Sequence, residues 1–124
     1  MRPAKSTLTD QELEIMKIVW DRGEATVRDV YEALLARRKV AYTTVMTMMK
    51  ILERKRRLKK TLVDRAYVYR PAEPRQQVVG AMVRDFLDRV FNGAAEPLVV
   101  HLVEDKKLSA RELAELSRLL GKES

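Results

Sequence analysis

Residues 41–57 read AYTTVMTMMKILERKRR, a stretch in which apolar side chains precede a basic run. Its apolar side chains recur at helical spacing and predict a stripe that faces a core: Val45, Met48, Met49 and Leu52. The opposite face of such a helix has small hydroxyls at its start and cations at its end: Thr43, Thr47, Lys50 and Arg54. Small side chains let a helix approach base edges in the DNA major groove, while Lys and Arg reach phosphates or guanine. An ordinary solvated surface helix has the same pattern, so the choice between these two interpretations depends on the flanking sequence.

Two helices are predicted before this stretch. Thr9 and Glu12 have the spacing of a capping box, which starts a helix over about residues 9–22, and Gly23 ends it. Thr26 and Asp29 repeat the capping pattern for a second helix that runs to about residue 38. The short connection between the two helices favours tight angular packing, and an extended piece then leads into the third helix.

After the basic run the sequence changes from helical to alternating periodicity. Leu58–Val63 and Ala66–Arg70 are β-prone segments on either side of Asp64-Arg65, which predicts a β-hairpin with a short turn. Three helices followed by a basic hairpin indicate a winged-helix domain that binds DNA. A winged helix that serves as a protein-interaction or RNA-binding adaptor remains the alternative.

Three further helices are predicted in the rest of the chain, over about residues 75–91 and 97–105 and after a third capping box at Ser109 and Glu112. Their apolar surface exceeds what so short a segment buries alone, which favours a two-fold homodimer over a cap within one monomer. The predicted dimer residues are Val79, Met82, Val83, Phe86, Val90, Leu98, Leu102, Leu116 and Leu120. The fold class is therefore mainly α with a small β-hairpin wing, divided into a DNA-binding domain over 1–73 and a dimerisation domain over 74–124.

The positive charge of the chain is concentrated in the first of these domains. The net charge is +7, and residues 1–73 carry 17 Lys/Arg against 10 Asp/Glu, whereas residues 74–124 carry eight of each. The charge is densest in residues 54–60, RKRRLKK, where little bulky apolar surface accompanies it, so a membrane-binding helix is disfavoured. Such asymmetry predicts a module that binds a polyanion, joined to a neutral module.

Composition and motifs disfavour an enzyme. The chain has no cysteine and one histidine, His101, which lies in an apolar segment and is expected to be packed rather than catalytic. No phosphate-binding glycine loop or metal-ligand spacing is present, so no cofactor and no metal is expected. A signal peptide and a membrane span are also missing, which predicts a cytoplasmic protein. A repressor whose tail forms a ligand pocket is a further alternative, although the methionines do not argue for it.

Four stretches together resemble the penicillinase-repressor (BlaI/MecI-type) family of bacterial transcriptional regulators. They are LTDQELEIMKIVWDRGEATVRDVYEAL (8–34), AYTTVMTMMKILERK (41–55), AYVYRP (66–71) and FLDRVFNGAAEPLVVHLVEDKKLSARELAELSRLL (86–120). The resemblance implies a homodimeric repressor on inverted repeats of the TACA/TGTA kind, with the third helix in the major groove and the hairpin on the backbone. It implies base contacts from Thr43, Thr44, Thr47 and Lys50. It implies backbone contacts from Tyr42, Arg54, Lys59, Lys60 and Arg65.

The chain departs from the family in two places. Some members are inactivated by proteolysis at an Asn-Phe bond after the fourth helix, whereas this chain has Asn92-Gly93-Ala94-Ala95 there. A regulatory protease is therefore an uncertain partner. A copper-responsive branch of the family carries a cysteine-rich C-terminal motif, which a chain without cysteine does not have. The inducing signal is left open.

Overall fold

The computed structural model describes residues 8–105 and 109–121, and of residues 116, 117 and 119–121 it describes the helical backbone only. The elements are α1 (Asp10–Arg22), α2 (Val27–Leu35), α3 (Tyr42–Arg54), β1 (Leu58–Val63), β2 (Ala66–Pro71), α4 (Arg75–Phe91), α5 (Glu96–Glu104) and α6 (Ala110–Gly121). This order confirms the predicted mainly α fold with a β-hairpin wing. The chain divides into two compact units, the first ending at Arg75 and the second beginning at Gln76.

Both capping boxes of the first unit are confirmed. The Thr9 hydroxyl accepts from the Glu12 N–H at 3.1 Å, and the Glu12 carboxylate accepts from the Thr9 N–H at 3.0 Å. Thr26 and Asp29 exchange the same two hydrogen bonds at 3.1 and 3.0 Å. Gly23 ends α1 with φ 86°, a conformation that disfavours side chains with a Cβ.

The core of the first unit lies among α1, α2, α3 and the start of β1. Its side chains are at most 2% exposed: Ile15, Met16, Val19, Val30, Leu34, Val45, Met49, Leu52 and Leu58. Val45, Met49 and Leu52 belong to the predicted apolar stripe of α3. Met48, which was predicted on the stripe of α3, is only half-buried. Burying such side chains contributes about 1.5–3 kcal/mol each, so the unit fixes the orientation of α3 through its apolar face.

The third helix ends earlier than the quoted stretch suggests. It stops at Arg54, and Arg56 has φ 65°. The Arg57 N–H donates to the Leu52 carbonyl at 2.8 Å and the Arg56 N–H donates to the Glu53 carbonyl at 2.9 Å. These two hydrogen bonds define a Schellman motif, with an arginine in the left-handed position that glycine usually occupies.

The wing is a two-stranded antiparallel hairpin with a third strand reduced to one residue. Its register runs from Leu58↔Pro71 to Val63↔Ala66, so Asp64 and Arg65 alone form the turn. Ala25, in the connection between α1 and α2, makes an isolated antiparallel bridge to Tyr69, with N–H···O distances of 2.9 and 2.8 Å. The sequence does not predict this bridge, because one residue gives no alternating pattern.

The second unit consists of α4, α5 and α6. The predicted capping box of α6 is confirmed by hydrogen bonds of 3.1 and 3.0 Å between Ser109 and Glu112. Asn92 (φ 55°) and Gly93 (φ 86°) turn the chain between α4 and α5. No helix within the described residues has the length and apolarity that crossing a bilayer requires.

Candidate nucleic-acid interface

The exposed face of α3 carries the residues that the sequence predicts to read bases. Thr43, Thr44, Thr47 and Lys50 are all exposed. The opposite face is buried, with an exposed fraction of 0% for each of Val45, Met49 and Leu52. The packing of α3 therefore presents three hydroxyls and one ammonium group to solvent from a fixed helix.

The first turn of α3 differs from that of the other capped helices. Its N-cap is Ala41, which makes no side-chain hydrogen bond to the helix. Tyr42, the predicted backbone contact, is 38% exposed. Its ring meets Tyr31 of α2 edge-on, with ring centroids 5.3 Å apart. The Arg28 guanidinium carbon lies 5.8 Å from the centroid of the Tyr42 ring.

The basic run of residues 54–60 does not form one continuous cationic surface. Lys55 turns inward and its ammonium lies 2.9 Å from both carboxylate oxygens of Glu12. Arg57 is 7% exposed and pairs with Glu73 at 3.0 Å. Since the Schellman turn lies between these two inward residues, part of the run stabilises the first unit and part faces solvent.

The outward-facing cations lie at the end of α3 and on the wing. Arg54 and Lys59 are exposed, as is Arg65 in the hairpin turn. Lys60 is half-buried, with its ammonium 3.5 Å from a Glu53 carboxylate oxygen and 4.3 Å from the Tyr67 ring centroid. Lys60 therefore differs from the other predicted backbone contacts, because part of its charge is already compensated.

The wing tip also exposes apolar surface beside these cations. Leu62 is 59% exposed and Tyr67, its cross-strand partner, is 50% exposed. On the same side of the hairpin Leu58 and Tyr69 are each 2% exposed. Burial raises the pKa of the Tyr69 phenol, so this ring stays neutral at physiological pH. Leu58 and Tyr69, at the base of the wing, are thus part of the core, whereas Leu62 and Tyr67, near its tip, are exposed to solvent.

The predicted dimer residues that the structure describes lie on α4 and α5 of the second unit. Val79, Phe86 and Val90 are 38%, 39% and 53% exposed. Met82, Val83, Leu98 and Leu102 are half-buried. The side chains of Leu116 and Leu120 lie outside the described residues. The described part of the unit therefore presents an apolar face to solvent.

The one histidine lies beside an aromatic ring rather than in a polar cluster. The ring centroids of His101 and Phe91 are 6.4 Å apart, but the His101 side chain is exposed, so the expectation that it is packed is wrong. Among the residues that the structure describes, no three His, Cys, Asp or Glu side chains are placed to hold a metal ion.

Two elements of this surface were missed by the sequence interpretation. Arg28 lies against Tyr42, yet no motif marks it; a cation in the first turn of a helix opposes the helix dipole and is the one signal available. The structural role of Lys55 and Arg57 was also missed, because their acidic partners Glu12 and Glu73 are distant in sequence.

Comparison with known proteins identifies the family. The family model described as penicillinase repressor matches residues 8–122. The chain is 39% identical over 116 residues to the transcriptional regulator BlaI of Mycobacterium tuberculosis (strain H37Rv), covering 92% of this chain and 83% of the relative. The chain belongs to the penicillinase repressor family. Members of this family are transcriptional repressors, a class distinct from enzymes.

Other relatives support the same assignment. The penicillinase repressor of Bacillus licheniformis is 28% identical over 113 residues, covering 91% of this family member and 88% of the relative. A solved structure, the solution structure of the Bacillus licheniformis BlaI monomeric form in complex with the blaP half-operator, is similar with a TM-score of 0.51 and 27% identity. That similarity covers 57% of this family member and 87% of the solved chain.

Proposed function

We propose that this DNA-binding transcriptional repressor acts as a homodimer on an inverted-repeat operator. Residues 1–73 form the DNA-binding domain and residues 74–124 the dimerisation domain. The third helix enters the major groove of each half-site, and the wing contacts the adjacent sugar–phosphate backbone. A repressor acts where the chromosome lies, so its place of action is the cytoplasm.

The exposed face of α3 is the observation that carries this proposal. The helix is fixed by side chains that are fully buried, while Thr43, Thr47 and Lys50 point to solvent on the opposite side. Hydroxyls accept or donate to base edges, and Lys donates to the acceptors of guanine in the major groove. Thr44 flanks this row and completes the set of base-reading residues.

Phosphate contacts surround that face. The proposed residues are Tyr42, Arg54, Lys59, Lys60 and Arg65. Contacts of this kind set the position of a protein on the duplex and make its affinity depend on salt, but they read no sequence. The relative from Bacillus licheniformis has been solved on a half-operator, which supports duplex DNA as the ligand.

Dimerisation accounts for the apolar surface of the second unit. The proposed interface consists of Val79, Met82, Val83, Phe86, Val90, Leu98, Leu102, Leu116 and Leu120. A two-fold interface presents two reading helices related by symmetry, and these match two halves of an inverted repeat. An exposed Phe with neighbouring Val side chains is typical of such an interface.

A regulatory protease acting on this chain would have to cut a bond other than Asn-Phe. Asn92 is the one asparagine of the sequence and Gly93 follows it. The turn that they form between α4 and α5 is exposed.

Selection of bound sequences from a random duplex pool at physiological salt tests the proposal. The expected result is an inverted repeat of two short half-sites. A pool without any shared sequence would contradict operator recognition and favour the adaptor function. Better binding of single-stranded RNA than of duplex DNA at equal salt would have the same meaning, since major-groove insertion requires a duplex.

A further inference from the structure

Arg28, at the start of α2, lies against the first residue of the reading helix. Its guanidinium carbon is 5.8 Å from the Tyr42 ring centroid, within the range of a cation–π contact. Tyr31, three residues further along α2, meets the same ring edge-on at 5.3 Å with the ring planes at 78°. The Tyr42 ring is thus supported by one residue of α2 and contacted by another.

The stability of α2 gives no reason for a cation at this position. Arg28 lies in the first helical turn, where a positive charge opposes the helix dipole. Its ion pair with Glu32 spans 3.5 Å between side chains that are 68% and 62% exposed. Exposed pairs of this kind contribute little to stability. The Arg28 guanidinium is therefore exposed to solvent and oriented by the Tyr42 ring, and Glu32 compensates its positive charge only weakly.

We propose that Arg28 is a DNA phosphate contact, held in position by the Tyr42 ring, which Tyr31 supports in turn. The inference rests on the proposed function, because it extends the set of contacts around the base-reading face of α3. Thr43 follows Tyr42 directly, so a phosphate bound by Arg28 would fix the duplex beside the first base-reading residue. Guanidinium groups suit this role because their planar donors bind phosphate oxygens in pairs and stack on aromatic rings.

The experiment measures affinity of the full-length chain for two duplexes over a salt series. One duplex carries the sequence recovered by selection and the other is unrelated and of equal length; fluorescence anisotropy reports binding. We expect R28Q to weaken binding to both duplexes and to lower the slope of log affinity against log salt by about 1.8, because the proposed dimer loses one phosphate contact in each protomer and each contact is worth about 0.9 on B-DNA. The affinity deficit should shrink by roughly twelvefold between about 50 mM and about 200 mM salt.

Arg89 of α4 provides the matched control. Its side chain is also 68% exposed and also pairs at i,i+4, with Asp85 at 3.0 Å. R89Q removes the same charge from the unit that carries no proposed DNA contact, and it should leave the slope unchanged.

Variants of Tyr42 test the positioning role. Y42F keeps the aromatic ring, so R28Q should weaken DNA binding as much in the Y42F background as in the unmodified chain. In the Y42L background, R28Q should weaken DNA binding less. Additive effects of R28Q and Y42L would contradict positioning by Tyr42. R28K keeps the charge and should keep the slope, while losing part of the affinity with the planar group.

The outcomes separate this inference from the proposed function. If R28Q leaves the slope unchanged while Lys59→Ala lowers it, Arg28 does not contact DNA and the proposed function stands. If the unmodified chain shows no preference for duplex DNA, the proposed function itself fails. Thermal melting of each variant checks that it folds. Because R28K keeps the positive charge, a lower slope of log affinity against log salt in R28K would also overturn the inference.

Discussion

At the residue scale, the carboxylate of Glu12 joins two parts of the first unit. It accepts hydrogen bonds from the Thr9 N–H at the start of α1 and from the Lys55 ammonium just beyond the end of α3. The Glu12 side chain is 6% exposed and that of Lys55 is 25% exposed. Removing one partner of such a pair leaves a charge poorly solvated. The orientation of α3, the proposed reading helix, therefore depends on a carboxylate outside the set of proposed DNA contacts.

Lys55→Met should lower the free energy of unfolding by about 2 kcal/mol, because Glu12 then keeps its charge without its cation. Adding Glu12→Gln should recover part of this loss, since glutamine still accepts the Thr9 N–H. Urea denaturation at neutral pH measures both variants. Equal midpoints for Lys55→Met and the unmodified chain would contradict the role of the pair.

The same carboxylate makes stability depend on acid. Burial alone would raise the pKa of Glu12, but the hydrogen bonds from Lys55 and Thr9 outweigh it and hold the pKa below its ordinary value of 4.5. A backbone hydrogen bond from Thr26 likewise lowers the pKa of Asp29 below 3.8. Both groups stabilise the fold above their unfolded pKa values, and this contribution is lost as pH falls through the folded values.

Glu12→Gln should therefore flatten the loss of stability in acid. Above about pH 5 the unfolding free energy of the unmodified chain should not change through these groups, and below about pH 4.5 it should decline. In Glu12→Gln the decline should be shallower, leaving the part that comes from Asp29. Denaturation midpoints over this pH range measure the effect. A steeper decline in the variant would be the wrong sign for a lowered pKa.

Thr47 tests the reading face one side chain at a time. Thr47→Ala should reduce the ratio of specific to nonspecific affinity by about thirtyfold, since the proposed dimer loses two base contacts that are each worth on the order of 1 kcal/mol. Nonspecific binding should be largely spared. Thr61→Ala, at an exposed threonine of β1, serves as the control. An unchanged ratio in Thr47→Ala would remove this residue from the proposed base contacts.

At the element scale, two connections of the first unit use arginine where glycine is common. Arg56 ends α3 with φ 65°, and Arg65 completes the hairpin turn with φ 72° after Asp64 with φ 50°. Two positive φ values in a two-residue loop define a type I′ turn, which fits the twist of a hairpin. Both arginines are exposed, so both positions combine backbone strain with surface charge.

Arg56→Gly and Arg65→Gly should both stabilise the fold, each by roughly 0.5–1 kcal/mol, because glycine adopts positive φ without strain. Their effects on DNA binding should differ. Arg65→Gly removes a proposed phosphate contact from each protomer and should lower the salt slope of the dimer by about 1.8, whereas Arg56→Gly should not lower it. Thermal melting and salt-dependent binding of the two variants give the comparison. Equal slopes in both would exclude Arg65 as a distinct contact.

At the scale of the whole molecule, the second unit presents the apolar face that is proposed for dimerisation. Phe86 is exposed but lies edge-on to Phe91, with ring centroids 5.9 Å apart. Such a pair is preorganised before any partner binds. The residues proposed for assembly and those proposed for DNA contact lie in different units. Substitutions of the DNA contacts should therefore leave assembly intact, whereas loss of the proposed dimer should also weaken binding to an inverted repeat.

Phe86→Asp should convert the proposed dimer to monomers, because a carboxylate desolvated in the proposed interface costs about 2–4 kcal/mol. Sedimentation equilibrium without DNA measures the change. Val63→Asp places the same charge on an apolar residue of the wing that is 42% exposed, and it should stay dimeric. Dissociation of both variants, or of neither, would place the interface elsewhere.

Local patterns in the sequence predicted most of the fold because the interactions behind them are local. Capping boxes join residues three apart, and the stripe of α3 repeats within one helix, so both can be predicted from short windows. The Glu12–Lys55 pair and the Ala25–Tyr69 bridge join residues more than forty positions apart. No single sequence shows such partners, so the inward pairing of Lys55 and Arg57 could not be predicted from the basic run. The contact of Arg28 with Tyr42 was missed for the same reason.

The bridge between Ala25 and Tyr69 limits how far the parts of this repressor can be exchanged. A chimera that transplants the wing alone would separate Tyr69 from the backbone groups it pairs with, and Arg70 from Glu24, which it contacts at 2.8 Å. The unit of exchange is the hairpin together with the connection between α1 and α2. An engineered regulator with a new recognition surface should carry residues 24–25 along with its wing.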